Sequence, residues 1–95
     1  MKAFTGESVR LLAEGRIVSV RFALPDGRRA ANGTILPGRY EFTAEKEGEI
    51  RVTRGVLYIN DDRVDPTTSP FRAHAGQTLV IQCLLEVATC LCYFG

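Results

Sequence analysis

Between Gly33 and Gly55 the chain reads GTILPGRYEFTAEKEGEIRVTRG, and this stretch limits the fold more than any other. Gly33, Pro37, Gly38, Gly48 and Gly55 interrupt it too often for a helix of useful length. Between them lie two runs, Tyr40 to Thr43 and Glu49 to Thr53, in which apolar and polar residues alternate. That period belongs to a half-buried strand.

The pattern extends along the chain. Arg16 to Ala23 alternates, with Val18, Val20 and Phe22 interleaved with Ser19 and Arg21. Pro25-Asp26-Gly27 is a turn, Pro presetting φ and Gly accepting a positive one. Arg29 to Leu36 is the next run, closed by Pro37-Gly38. Glu45 to Gly48 forms a charged loop, and Gly55 leads into Val56 to Ile59. Asn60-Asp61-Asp62 is a hairpin turn before Arg63 to Asp65, and Pro66 to Pro70 is a polar connector. Phe71 to His74, Thr78 to Cys83 and Val87 to Phe94 complete the chain. Met1 to Leu12 reads as weakly helical or irregular. Some nine or ten short strands with closely spaced turns indicate an all-β sandwich or small barrel.

Ninety-five residues make one domain, 1–95, with one modest core. The net charge of +1 gives no reason to expect nucleic acid or an anionic membrane as partner. Ten of the 12 basic residues are Arg, the better bidentate reader of carboxylate or phosphate, although most Arg side chains serve as solvated surface. The first ten residues carry no secretory h-region, and no apolar run approaches the ~18 residues of a membrane span. Cys83, Cys90 and Cys92 are an odd number without disulfide or zinc spacing. They read as small buried hydrophobes in a reducing cytoplasm.

With these elements placed, the chain resembles the cupins, and among them the small single-domain pyrimidine/purine nucleoside phosphorylases. The resemblance runs over nearly all of the chain from Gly15 on. It is carried by Gly15-Arg16-Ile17-Val18-Ser19 with Phe22, by Gly38-x-Tyr40-x-Phe42 within the Gly33 to Phe42 block, and by Val52 to Leu57. Ser69-x-Phe71, Gln82 and Cys92-Tyr93 follow; the hairpin at Asn60 to Asp62 is shorter than usual for the family. The resemblance implies a cupin jelly-roll barrel, often a homodimer. It also implies phosphorolysis: a nucleoside and phosphate give free base and a pentose 1-phosphate. Such a reaction passes through a sugar of oxocarbenium character and needs an anion clamp, a donor to the leaving base and a dry pocket.

In metal-dependent cupins two histidines, a Glu and a later His bind the ion. Those positions fall here on Tyr40, Phe42, Gly48 and Leu79, none of them a metal ligand, so the resemblance implies a metal-free pocket and no cofactor. Tyr40 and Phe42 then serve either as an aromatic wall for a base or sugar, or as plain core. Glu47 and His74 are the candidate catalytic acids. Glu47 flanks the vacant acid position at Gly48, and imidazole suits proton transfer near neutrality. The plainer alternatives are a solvated turn for Glu47 and an exposed or capped His74. Arg72, beside the strand end where cupin pockets open, is the candidate for phosphate, with Arg39 and Arg51 behind it. Gln77, Leu79, Gln82 and Tyr93 complete the expected substrate-binding set. The departures at Gly48, His74, Gln77 and Leu79 favour the alternative of a non-catalytic or differently specialised cupin that binds a small ligand.

Overall fold

A computed structural model describes residues 9–94. Ten strands follow one another: β1 Val9–Leu12, β2 Ile17–Ala23, β3 Arg29–Ile35, β4 Gly38–Thr43, β5 Gly48–Arg54, β6 Leu57–Ile59, β7 Asp62–Val64, β8 Phe71–Ala73, β9 Thr78–Cys83 and β10 Ala88–Phe94. All pairings are antiparallel. One sheet runs β1-β2-β3-β10-β5-β8, the other β4-β9-β6-β7. The described residues form no helix and so none long and apolar enough to cross a membrane. The expected jelly roll is present as two facing sheets that do not close into one continuous barrel.

The end of the segment expected to be helical or irregular is a strand. Val9–Leu12 pairs with β2 through a turn that carries positive φ at Ala13, Glu14 and Gly15. Ala and Glu seldom adopt such a conformation, which hides the turn in the sequence. Residues 1–8 of that segment lie outside the described residues.

Turn chemistry fixes the registers. Asp26 accepts hydrogen bonds from the Arg28 backbone N–H (3.0 Å) and guanidinium (2.9 Å), closing the β2–β3 hairpin. Asn60 and Asp61 take φ of 50° and 72°, both left-handed, as a tight hairpin between β6 and β7 requires. Asn60 also clamps β9: its side chain accepts from the Val80 N–H at 2.8 Å and donates to the Thr78 carbonyl at 3.2 Å.

The sheets meet over Leu57, Ile59, Val52 and Cys83, the largest fully buried side chains. In β9 the inward row is Leu79, Ile81 and Cys83, and in β5 it is Ile50 and Val52. Tyr40 is buried as well, and its hydroxyl has a structural task. It donates to the Leu36 carbonyl at 2.7 Å and accepts from the Arg16 guanidinium at 3.2 Å, pinning the corner where the chain leaves one sheet for the other. Arg16 also donates to the Pro37 carbonyl. Gly38 is required at this corner, because a Cβ there would stand 2.7 Å from the Tyr40 oxygen.

Candidate functional site

A cavity of about 130 Å³ lies between the sheets. It exists because the inward residues of three neighbouring strands are small. Ser19 on β2, Ala31 and Gly33 on β3, and Cys90 and Cys92 on β10 line one wall. Leu57 and Ile81, with Phe42 on β4, stand opposite, and Leu12, Ile17, Ile35 and Ile50 complete the lining. Leu12, Ser19, Phe42 and Cys92 are the partly exposed liners, so solvent reaches the cavity on their side. Between Thr89 and Cys90 the β10–β5 ladder slips, a bulge of the kind that re-aims side chains beside sites.

The lining is apolar apart from one hydroxyl and two thiols, and it includes no charged side chain. Cys90 and Cys92 sit two apart on one face of β10, and both line the cavity. The neighbouring Cys92 thiol, with help from the Gly33 backbone, holds the Cys90 thiol below its ordinary range against the opposing cost of burial. The Cys90 thiol beside it, together with burial, drives Cys92 upward. Cys83 is separate from this pair. Its thiol donates to the carbonyls of Glu86 (2.8 Å) and Ile35 (3.6 Å), and burial raises its pKa.

Of the nine residues expected from the sequence, Phe42 lines the cavity. Tyr40 is committed to the Leu36 corner, and Leu79, paired with Phe42, is part of the buried core. The other six are placed elsewhere. Arg72 faces outward and pairs with Glu49 at 3.6 Å, as the parity of Ile50 and Val52 requires. Gln82 falls in the outward row of its sheet, between Arg39 and Tyr58. Tyr93 is on the outer face of the larger sheet, with the Arg28 guanidinium carbon 5.8 Å from its ring centroid. Gln77 turns its side-chain oxygen onto the His74 backbone N–H at 3.0 Å, so it caps the turn that carries His74. His74 and Glu47 are both exposed. Their turns are neighbours nonetheless: the Ala44 N–H donates to the Gln77 carbonyl at 2.9 Å, and the Gly76 N–H to the Ala44 carbonyl at 2.7 Å. No cluster of three His, Cys, Asp or Glu side chains occurs among the described residues.

The cavity-lining Ser19, Cys90 and Cys92 are not among the site residues expected from the sequence. Arg21, Ala31, Cys92 and Ile50 are register partners across four strands and form one inward row. Three of these four line the cavity, which places the exposed Arg21 at its edge. The alternation of β2 was the available signal: Ile17, Ser19 and Arg21 necessarily share one face.

The sequence model of a family described as pyrimidine/purine nucleoside phosphorylase matches residues 8–93. No curated protein sequence matches the chain. Among solved structures, a protein of unknown function from Acinetobacter sp. ADP1 superposes with a TM-score of 0.83 at 16% identity, covering 94% of this chain and 90% of that one. A protein of unknown function from Vibrio parahaemolyticus gives 0.79 at 20% identity over 90% and 95%. The polyketide cyclase RemF from Streptomyces resistomycificus gives 0.68 at 19% identity over 95% and 74%. At these identities the likeness concerns the fold, which is cupin-like.

Proposed function

The chain belongs to the pyrimidine/purine nucleoside phosphorylase family, and from that premise we propose that it cleaves nucleosides with inorganic phosphate, releasing free base and pentose 1-phosphate. The observation that carries this reading is the extent of the family match, since residues 8–93 include every residue lining the cavity. Cavity size supports it as well. About 130 Å³ is close to the ~150 Å³ known to hold one benzene ring. A base ring fits against Phe42, leaving the sugar and phosphate on the open side.

On that pose Ser19 offers the base a hydroxyl, and Arg21 at the edge supplies the positive charge that phosphate and the developing leaving group require. His74 and Glu47, on the paired turns beyond Phe42, are the groups that move the proton to the departing base. The homodimer expected of the family has its place on the outer face of the larger sheet. There Val18, Val20, Phe22 and Leu91 are half-buried and unusually apolar for a surface.

A second reading, a binding module for a small ligand, draws its support from the lining, which has one hydroxyl, two thiols and no charge. Phosphate separates the two readings. Purified protein is incubated with a panel of purine and pyrimidine nucleosides, with and without phosphate, and free base is measured by chromatography. Phosphate-dependent release is expected; no release from any nucleoside would overturn the enzyme reading.

A further inference from the structure

We propose that the Cys90–Cys92 pair is a covalent capture site for small uncharged electrophiles of the conjugated-carbonyl class, with Cys90 forming the bond. The geometry that points there is local and does not rest on the phosphorolysis reading. Both cysteines line the one-ring cavity from the same face of β10. Gly33 stands opposite Cys90, and a Cβ on it would meet the Cys90 sulfur at 3.2 Å, so the glycine keeps space open around that sulfur. The ladder slip at Thr89/Cys90 falls at the same place.

The apolar lining selects the ligand class. Two sulfurs among aliphatic and aromatic side chains offer a cation too few donors and no compensating charge. They offer an uncharged, polarisable acceptor both a nucleophile and a fitted apolar wall. The titratable neighbour facing Cys90 within the cavity is Cys92, and the facing strands contribute Gly33, Val52, Leu57, Ile81 and Phe42. The neighbouring Cys92 thiol favours the Cys90 thiolate, the form that reacts.

The step balances without an oxidant or cofactor. The Cys90 sulfur bonds to the β carbon of the unsaturated carbonyl. The C=C π pair moves to the α carbon, which takes a proton from the Cys92 S–H. The proton that Cys90 gave to solvent is returned from solvent to Cys92. The net change is addition of one S–H across one C=C bond.

The test uses the full chain and 2-cyclohexen-1-one, whose single ring matches the cavity. Adducts are located by peptide mass mapping over a pH series. Cys90 is expected to label several-fold faster than Cys83 near neutral pH, because it lines the cavity and Cys83 does not. Cys92→Ala, which removes the titratable neighbour, should slow labelling of Cys90 at neutral pH and shift its rate profile to higher pH. Gly33→Ala should slow it by crowding the sulfur. Labelling that favours Cys83 or Cys92, or a Cys90 rate no greater in folded than in urea-unfolded protein, would overturn the proposal. The wild-type distribution decides the matter even if a variant fails to fold. Base release plays no part in the readout, so failure here leaves the phosphorylase reading untouched.

Discussion

Strands β2 and β9 alternate equally well in sequence, yet they face the interior in opposite ways. In β9 the apolar set Leu79, Ile81 and Cys83 points inward, and Thr78 and Gln82 point out. In β2 the inward row is Ile17, Ser19 and Arg21, while Val18, Val20 and Phe22 face outward. The β9 pattern is that of a strand whose task is to fill a core. In β2 the inner face lines the cavity, and the outer face carries the surface on which the dimer is proposed. Polar residues facing in and apolar residues facing out cost stability to an isolated domain, so their joint presence on one strand is the clearest functional signal in the fold.

The same substitution on the two strands gives the largest contrast. Ile81→Asp, which buries a carboxylate in the cavity wall, is expected to cost more than about 4 kcal/mol or prevent folding. Val20→Asp should cost no more than about 1 kcal/mol in urea unfolding, yet yield monomer in sedimentation if the proposed dimer forms through this face. Equal losses at both positions would break the comparison. Tyr40→Phe comes next: it strips the corner of a hydroxyl bonded to Leu36 and Arg16, at about 1–3 kcal/mol by denaturant unfolding, while base release persists. Abolished activity in a stable Tyr40→Phe protein would move the tyrosine from the corner into the site. Gln77→Ala removes the cap on the His74 N–H and should cost about 0.5–1.5 kcal/mol. A larger drop in base release than in stability would show that the cap positions His74 for catalysis.

Acid gives the smallest effect. The Thr67 hydroxyl and N–H, at 2.6 and 2.7 Å, hold the Asp65 carboxyl below its ordinary value of 3.8, with Arg63 adding to them. A depressed carboxylate stabilises the fold above that ordinary value, and the contribution is lost as pH falls through the lower folded value. Asp65→Asn should therefore melt slightly lower than wild type at neutral pH and converge with it in acid. Parallel Tm curves down to pH 2 would show that the turn carries no such linkage.

Strand order and turns were legible because Gly, Pro and Asn announce them. Thr78 to Cys83 is the observed β9, and Asn60-Asp61 adopts the expected left-handed hairpin. Alternation is likewise kept in β5, where Ile50 and Val52 face the core and Glu49 faces out to pair with Arg72. The site was less legible. Alternation tells which residues share a face but not which face is inner, and in β2 the hydrophobic rule points the wrong way. The roles drawn from resemblance placed Gln82 and Tyr93 in the pocket, although the parity of Ile81 and Cys92 puts both on the opposite face. The cavity itself comes from the smallness of Ser19, Ala31, Gly33 and the two cysteines, which lie on three strands remote in sequence. Their adjacency appears only once the β2-β3-β10 order is known.

The central claim is that the inward row of β2 serves phosphorolysis, and one measurement meets it directly. Wild-type protein and Arg21→Gln are assayed side by side for free base released from nucleosides as phosphate is varied, with melting temperature recorded for both. Phosphate-dependent release by wild type is expected, with loss of that dependence in a folded Arg21→Gln. Equal release by both proteins, or none by wild type, would contradict it.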